Sequence, residues 1–328
     1  MPILDPQPTL EPTSEASTLP PFPEEPQIDP APLPSENTTD YLSSMSPFEE
    51  SAPFEHQPNE GISRQDVNSI QITIADKQTP LVLLAGPPAC GKTMTLIRLA
   101  RYLKEKGYQL EPVRTLRPST DKAYLDLCNN FNAMLSTPLA AEATTLISFM
   151  LVRVLDKGKV ICQILEAPGE HYFNPNDPHS PLPTYLNQVF ADRMRKIWTF
   201  IVEKDWQNEQ NRIDYVQRIR EFHLQIHPRD RALFLFNKID LTNFVIGRGQ
   251  VNRSAAKKDI EDNYPGIFEP FRNTHPITSF WRPWRCAFLP FQTGTYTEDS
   301  RSGKLYFQAG ADEYPAALWR QLLHFIRG

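Results

Sequence analysis

The chain has 328 residues, with 32 Pro against only 13 Gly and a formal charge of −5. The charge is unevenly spread: residues 1–60 hold 14 of the Pro and 12 acidic side chains with no Lys, Arg, Gly or Cys, whereas the other 268 residues carry all 34 basic side chains against 27 acidic ones. Four scattered cysteines, no apolar run near the ~20 residues of a membrane span, and a start (Met1-Pro2-Ile3-Leu4-Asp5) unlike a signal peptide disfavour a disulfide scaffold, a zinc cluster and a membrane protein.

Residues 1–62 read as a disordered acidic tail, because so few aliphatic side chains cannot offset the entropy of ordering. Within it Pro47-Phe48-Glu49 and Pro53-Phe54-Glu55 recur six residues apart. Such a segment is expected to act as a solvated spacer or as a docking element. Gly and basic residues first appear at Gly61–Arg64, which leaves 63–328 as the folded domain.

Leu81-Val82-Leu83-Leu84-Ala85 is a short apolar run, as in a strand buried on both faces. Gly86-Pro87-Pro88-Ala89-Cys90-Gly91-Lys92-Thr93 follows and fits the P-loop pattern G-x-x-x-x-G-K-[ST]. Leu96, Leu99 and Leu103 then mark a helix that Gly107 should stop. Backbone N–H groups of such a loop, with the helix N-terminus, can cradle phosphates. Lys92 would reach the β- and γ-phosphates, and Thr93 would place its hydroxyl on Mg²⁺. Asp121–Leu135 has helical spacing and reads as an inserted helix near 119–136. Arg114 or Arg117 beside it could supply charge in cis. Thr145–Leu155 and Lys159–Leu165 read as strands joined by a turn at Asp156-Lys157-Gly158.

A second motif lies further on. Leu233-Phe234-Leu235-Phe236 runs into Asn237-Lys238-Ile239-Asp240, an apolar strand ending in N-K-x-D. A carboxylate there can accept two hydrogen bonds from the N1–H and exocyclic amine of guanine, a donor pair adenine lacks. Helices are predicted near Tyr185–Arg195, over Ile213–Ile226 before Pro228, near Ser254–Asn263 and over Tyr314–Ile326, and strands over Ile197–Val202 and Cys286–Phe291.

Together the two motifs resemble the P-loop GTPases of the Ras-like and translation-factor (TRAFAC) class. The resemblance covers roughly residues 70–328. It implies an α/β, three-layer P-loop NTPase fold. Its mostly parallel six-stranded sheet would have one antiparallel hairpin strand and helices on both faces. It implies a third motif, D-x-x-G, where this chain has Glu166-Ala167-Pro168-Gly169, with Glu in place of Asp as the Mg²⁺-side carboxylate. Gly169 would offer its N–H to the γ-phosphate. Glu170 stands where the family often has a water-orienting Gln or His, with an extended switch II loop over 170–184. Thr144 is about the right distance from Glu166 for the switch I Thr that binds Mg²⁺, with Thr145 and Thr137 as alternatives. Gln292-Thr293-Gly294 takes the place of the family's base-contacting loop, with Thr293 at the base.

The implied function is a cytoplasmic switch that binds GTP or GDP with Mg²⁺, hydrolyses GTP slowly and signals to protein partners through the switch segments or the acidic tail. A pseudo-GTPase docking module is one alternative. An AAA+-like ATPase is another, because Gly86-Pro87-Pro88 also suits that family's loop. No nucleic acid is expected as a partner. Phe280-Trp281-Arg282-Pro283-Trp284-Arg285 joins bases to aromatics. It is expected to lead into the last strand with its Trp rings over the sheet edge, anionic-surface binding being the other reading.

Overall fold

The computed structural model of the chain describes residues 67–136, 149–281, 283–298 and 305–328. The tail expected over 1–62 and the candidates Thr137, Thr144 and Thr145 lie outside the described residues.

Strand β1 (Leu81–Ala85) is wholly buried, as its unbroken apolar run requires of a central parallel strand. It feeds helix α1 (Lys92–Glu105), which buries Leu96, Leu99 and Leu103. Gly107, at φ +85°, ends that helix and lets the Tyr108 amide turn back to the Leu103 carbonyl. A short strand β2 (Gln109–Pro112) and helix α2 (Lys122–Ser136) come next, the latter where the inserted helix is expected. Strands β3 (Met150–Asp156) and β4 (Lys159–Glu166) form the antiparallel hairpin, turned at Lys157 and Gly158 in left-handed conformations.

The second half alternates strand and helix. Strands β5 (Lys196–Val202), β6 (Arg231–Phe236) and β9 (Cys286–Pro290) are parallel to β1, with β6 in register against β9 at Ala232 and Cys286. Helix α3 (Gly169–Tyr172) and α4 (Thr184–Ala191) precede β5; α5 (Glu209–His223) and α6 (Arg253–Asn263) flank β6. Asn208 and Asn252 start the last two by accepting from the amides of Asn211 and Ala255. Small hairpins β7–β8 (Val245–Gly247, Gln250–Val251) and β10–β11 (Gly294–Glu298, Leu305–Ala309), a four-residue helix α7 (Thr278–Trp281) and the closing helix α8 (Glu313–Arg327) complete the described chain.

The main sheet runs β2-β3-β4-β1-β5-β6-β9. From β1 the chain crosses to the edge strand β2, returns inward through β3 and β4, and then passes to the other side of β1, stepping outward through β5, β6 and β9. The topological switch point therefore sits at β1, and ligands of such sheets bind beyond the carboxyl ends of the strands there. The architecture is the three-layer P-loop NTPase fold. The sheet has seven strands rather than six: β2 adds to β3 at the edge, four residues long and half exposed, too short to show alternation. Helix α4 stops at Asp192 instead of Arg195, because Asp192 is extended and its carboxylate accepts from the Met194 amide and pairs with Lys77. The segment 170–184 is not an open loop throughout: α3 takes its first turn, and tight turns follow at Asn174–Asp177 and Asp177–Ser180.

Among the described residues no helix is long and apolar enough to cross a membrane.

Candidate functional site

The loop after β1 is shaped by two left-handed residues, Ala89 at φ +59° and Gly91 at φ +85°. Gly91 has a further reason to be Gly: a Cβ there would lie 2.3 Å from Asn237 Nδ2. Pro87 and Pro88 carry no N–H, so donors toward a phosphate come from Ala89 onward. The first amides of α1 have no acceptor within the helix and lie at its positive end. A Cβ on Gly86 would lie 2.7 Å from Cys90 Sγ and 3.2 Å from the Ile201 carbonyl oxygen. The Cys90 thiol is fully buried, with its pKa pushed up to about 11 by desolvation, so it is an inert packing group.

Lys92 is buried and its ammonium donates to the Pro87 carbonyl at 2.9 Å. Thr93 Oγ1 donates to Glu166 Oε1 at 3.0 Å. Glu166, at the carboxyl end of β4, is buried, and Leu84 in β1 is its register partner. Burial pushes its pKa up to about 7, against the pull of Lys92 and the Thr93 hydroxyl, with Glu170 adding repulsion. Its Oε2 is buried without a hydrogen-bond partner. The Glu166 carboxylate thus lies beside a hydroxyl and within electrostatic reach of Lys92, with one oxygen uncommitted. Those oxygens would suit a hard divalent cation placed beside Thr93.

Gly169 touches the loop directly: a Cβ on it would lie 2.3 Å from the Pro88 nitrogen and 2.5 Å from the Pro87 carbonyl carbon. The chain that follows is fastened. Phe173 is buried, its ring 5.7 Å from Trp206 and 5.4 Å from Tyr215. Trp206, just past β5, donates its indole N–H to the Pro88 carbonyl at 3.0 Å. Arg218 of α5 donates to the carbonyls of Pro178 and Ser180, both at 2.7 Å. His171 Nδ1 lies 2.6 Å from the Tyr185 hydroxyl, and burial lowers its pKa to about 4, so the imidazole is neutral. Glu170 is exposed, within electrostatic reach of Glu166.

The N-K-x-D segment meets the phosphate loop across a long stretch of sequence. Asn237 is buried at the end of β6; its backbone N–H donates to Val202 and its Nδ2 donates to the Cys90 carbonyl at 2.9 Å. Lys238 is left-handed at φ +55°, and its ammonium pairs with Glu203 at 2.5 Å. Asp240 is the middle residue of the 3₁₀ turn Ile239–Leu241 and is half-buried, its pKa raised by desolvation. Thr293 is buried at the carboxyl end of β9, its hydroxyl 3.2 Å from that of Tyr296 in the β10–β11 hairpin. The Ile239 amide donates to the Phe291 carbonyl, which ties these two loops together.

All candidates from Gly86 to Thr93, with Glu166, Gly169, Glu170, Asn237, Lys238, Asp240 and Thr293, therefore lie at the carboxyl ends of β1, β4, β6 and β9. Thr144 lies outside the described residues. Arg117 and Arg114 are engaged elsewhere: Arg117 pairs with Asp121 at 2.8 Å and covers the Phe149 ring, and Arg114 donates to Asn129. Trp206 and Glu203 join the site without a motif to announce them. The only sequence hint was their position just after an apolar strand, Glu203 being noticeable as the acid that ends it.

No family model matches the chain, and no curated protein matches it in sequence. Solved structures with a similar chain path include the GTPase-like domain of Ski7 from S. cerevisiae, bound to GTP (13% identity, 77% of this chain and 51% of that one, TM-score 0.39). A Plasmodium falciparum protein described as nucleolar GTP-binding protein 1 (12% identity, 77% and 90%, TM-score 0.37) and the mammalian SRP receptor (13% identity, 75% and 99%, TM-score 0.36) are others. These values are low, and the fold rests on the strand order and the loop geometry alone.

Proposed function

We propose that the chain is a guanine-nucleotide-binding protein that takes GTP or GDP with Mg²⁺ between the phosphate loop and Asn237–Asp240. The observation that carries this reading is the convergence of two separate motifs, sealed by Asn237 Nδ2 on the Cys90 carbonyl. Loop amides and Lys92 would bind phosphates. Lys92 would exchange its bond to Pro87 for phosphate oxygens, a charge-assisted contact of greater strength. Thr93 and Glu166 would hold Mg²⁺, which supplies charge neutralisation on the phosphates when bound. Asp240 would read the guanine edge.

Hydrolysis is proposed to be slow. Glu170 replaces the residue that the family resemblance implies for orienting water, and His171 is turned to Tyr185. The fastening of Phe173 and of the Pro178 and Ser180 carbonyls favours a second reading, a docking module whose nucleotide is bound but barely turned over. Single-turnover phosphate release from bound GTP separates the two. Slow release that Lys92→Ala abolishes supports the GTPase. Release no faster than that of free GTP selects the docking module.

A further inference from the structure

The strands that carry the nucleotide loops at one end begin, at the other, in a surface of a different kind. Residues 224–230 lead into β6, and residues 272–285 lead into β9. The register of Ala232 on Cys286 places these two connections side by side at the same end of the sheet. That end is about 20 Å, one strand length, from the candidate site.

Four large apolar side chains stand out there: Leu224 is 83% exposed, Ile277 72%, Phe280 81% and Trp281 79%. The expectation that the Trp rings cover the sheet edge holds for Trp284, packed under Lys257, but fails for Trp281. The exposure is built in by the connection's own structure. Arg272 and Trp284 form an antiparallel bridge, with the Asn273 amide on the Pro283 carbonyl and the Arg285 amide on the Phe271 carbonyl. Above that stem, Asn273 Nδ2 donates to Thr278 Oγ1, and His275 Nδ1 accepts from the amides of Ile277 and Thr278. The tip is thus a stapled turn that presents Ile277, Phe280 and Trp281 outward.

The rim is basic. Arg229 and Arg285 are exposed, as is Arg272, which shares its charge with Glu269, and no Asp or Glu occurs between Glu269 and Glu298. Of the nearby acids, Glu269 is balanced by Arg272, Glu221 by Arg218, and Asp230 is buried, accepting from the amides of Lys196 and His227. Protruding apolar side chains with exposed Arg at the same end of the sheet match the headgroup layer of an anionic bilayer, where aromatic rings sit at the boundary and Arg pairs with lipid phosphate. We propose that this end of the sheet docks on an anionic membrane surface, with Phe280 and Trp281 inserted and the nucleotide end facing away toward other partners.

The test is co-sedimentation of the full chain with vesicles of phosphatidylcholine alone or mixed with phosphatidylserine. Binding to the mixed vesicles, weak on phosphatidylcholine and falling with added salt, is expected. Phe280→Ser with Trp281→Ser should lower that binding by at least about tenfold, and Arg229→Glu by about fivefold. Thermal unfolding should stay unchanged in both variants, since these side chains are exposed. Absence of binding, or binding that survives the double substitution, overturns the proposal. So does tighter retention on single-stranded RNA that the same substitutions remove, which would make this a nucleic-acid face.

Discussion

The phosphate loop and the segment after β4 meet at Pro88 and Gly169, yet they are built oppositely. Residues 86–93 are anchored at two carbonyls, Pro88 by Trp206 and Cys90 by Asn237, and keep an ammonium and a hydroxyl on exchangeable partners: Lys92 holds a loop carbonyl and Thr93 holds Glu166. Residues 169–183 are secured by side chains from elsewhere: Trp206, Tyr215, Tyr185 and Arg218. In the family that the sequence resembles, the second segment is the movable one. Here that segment is an aromatic wall, and the phosphate loop resting against it has its adaptable groups in two side chains, Lys92 and Thr93. Two loops in contact can thus be held by different means, one through polar bonds to its carbonyls and the other through ring packing.

The largest effect expected along this comparison comes from Lys92→Ala, which removes the charge of the adaptable side. Nucleotide affinity should fall by at least about a hundredfold with the fold retained, checked by equilibrium binding beside circular dichroism. Gly169→Ala tests the wall. A Cβ 2.3 Å from Pro88 nitrogen cannot be accommodated without movement, and the variant should lose about 2–3 kcal/mol in denaturant unfolding. A loss below about 0.5 kcal/mol would mean that the segment moves freely after all.

Smaller shifts sharpen the same contrast. Trp206→Phe keeps the ring packing but deletes the hydrogen bond to Pro88, costing about 1 kcal/mol. Hydrogen exchange should quicken in residues 169–176 and in the phosphate loop together. The smallest expected effect is a pH dependence from His171. Its pKa is about 4 in the folded chain, below the ordinary value of 6.5, so the unfolded chain binds more protons between those values. Stability contributed here is complete above about pH 6.5 and is lost as pH falls toward 4. His171→Gln should flatten that limb of an unfolding-versus-pH series.

Much of this arrangement was legible from residues. The apolar run Leu81–Ala85, the loop glycines and the leucine stripe of α1 announce one another, because strand, phosphate loop and helix have distinct periodicities. Leu233–Phe236 with N-K-x-D reads equally well. What stayed hidden depends on tertiary packing. Strand β2 has four residues and ends in Pro112, so neither length nor alternation marks it. Hairpins β7–β8 and β10–β11 are short two-stranded sheets of their own, outside the main sheet. Trp206 sits in a charged stretch, Lys204-Asp205-Trp206, and nothing in that sequence says that its indole reaches Pro88 across more than a hundred residues. The contact of Gly169 with Pro87 and Pro88 is likewise a fact of approach between two loops, to which local propensity is blind.

The central claim is that the two motifs together make a guanine-nucleotide site, and equilibrium titration of the full chain with GTP and with ATP in Mg²⁺ tests it most directly. GTP should bind at least about a hundredfold more tightly, because a site built to pair polar edges rejects a base lacking them, and Asp240→Asn should erase most of that preference. Equal competition by ATP, with Asp240→Asn silent, would contradict the claim.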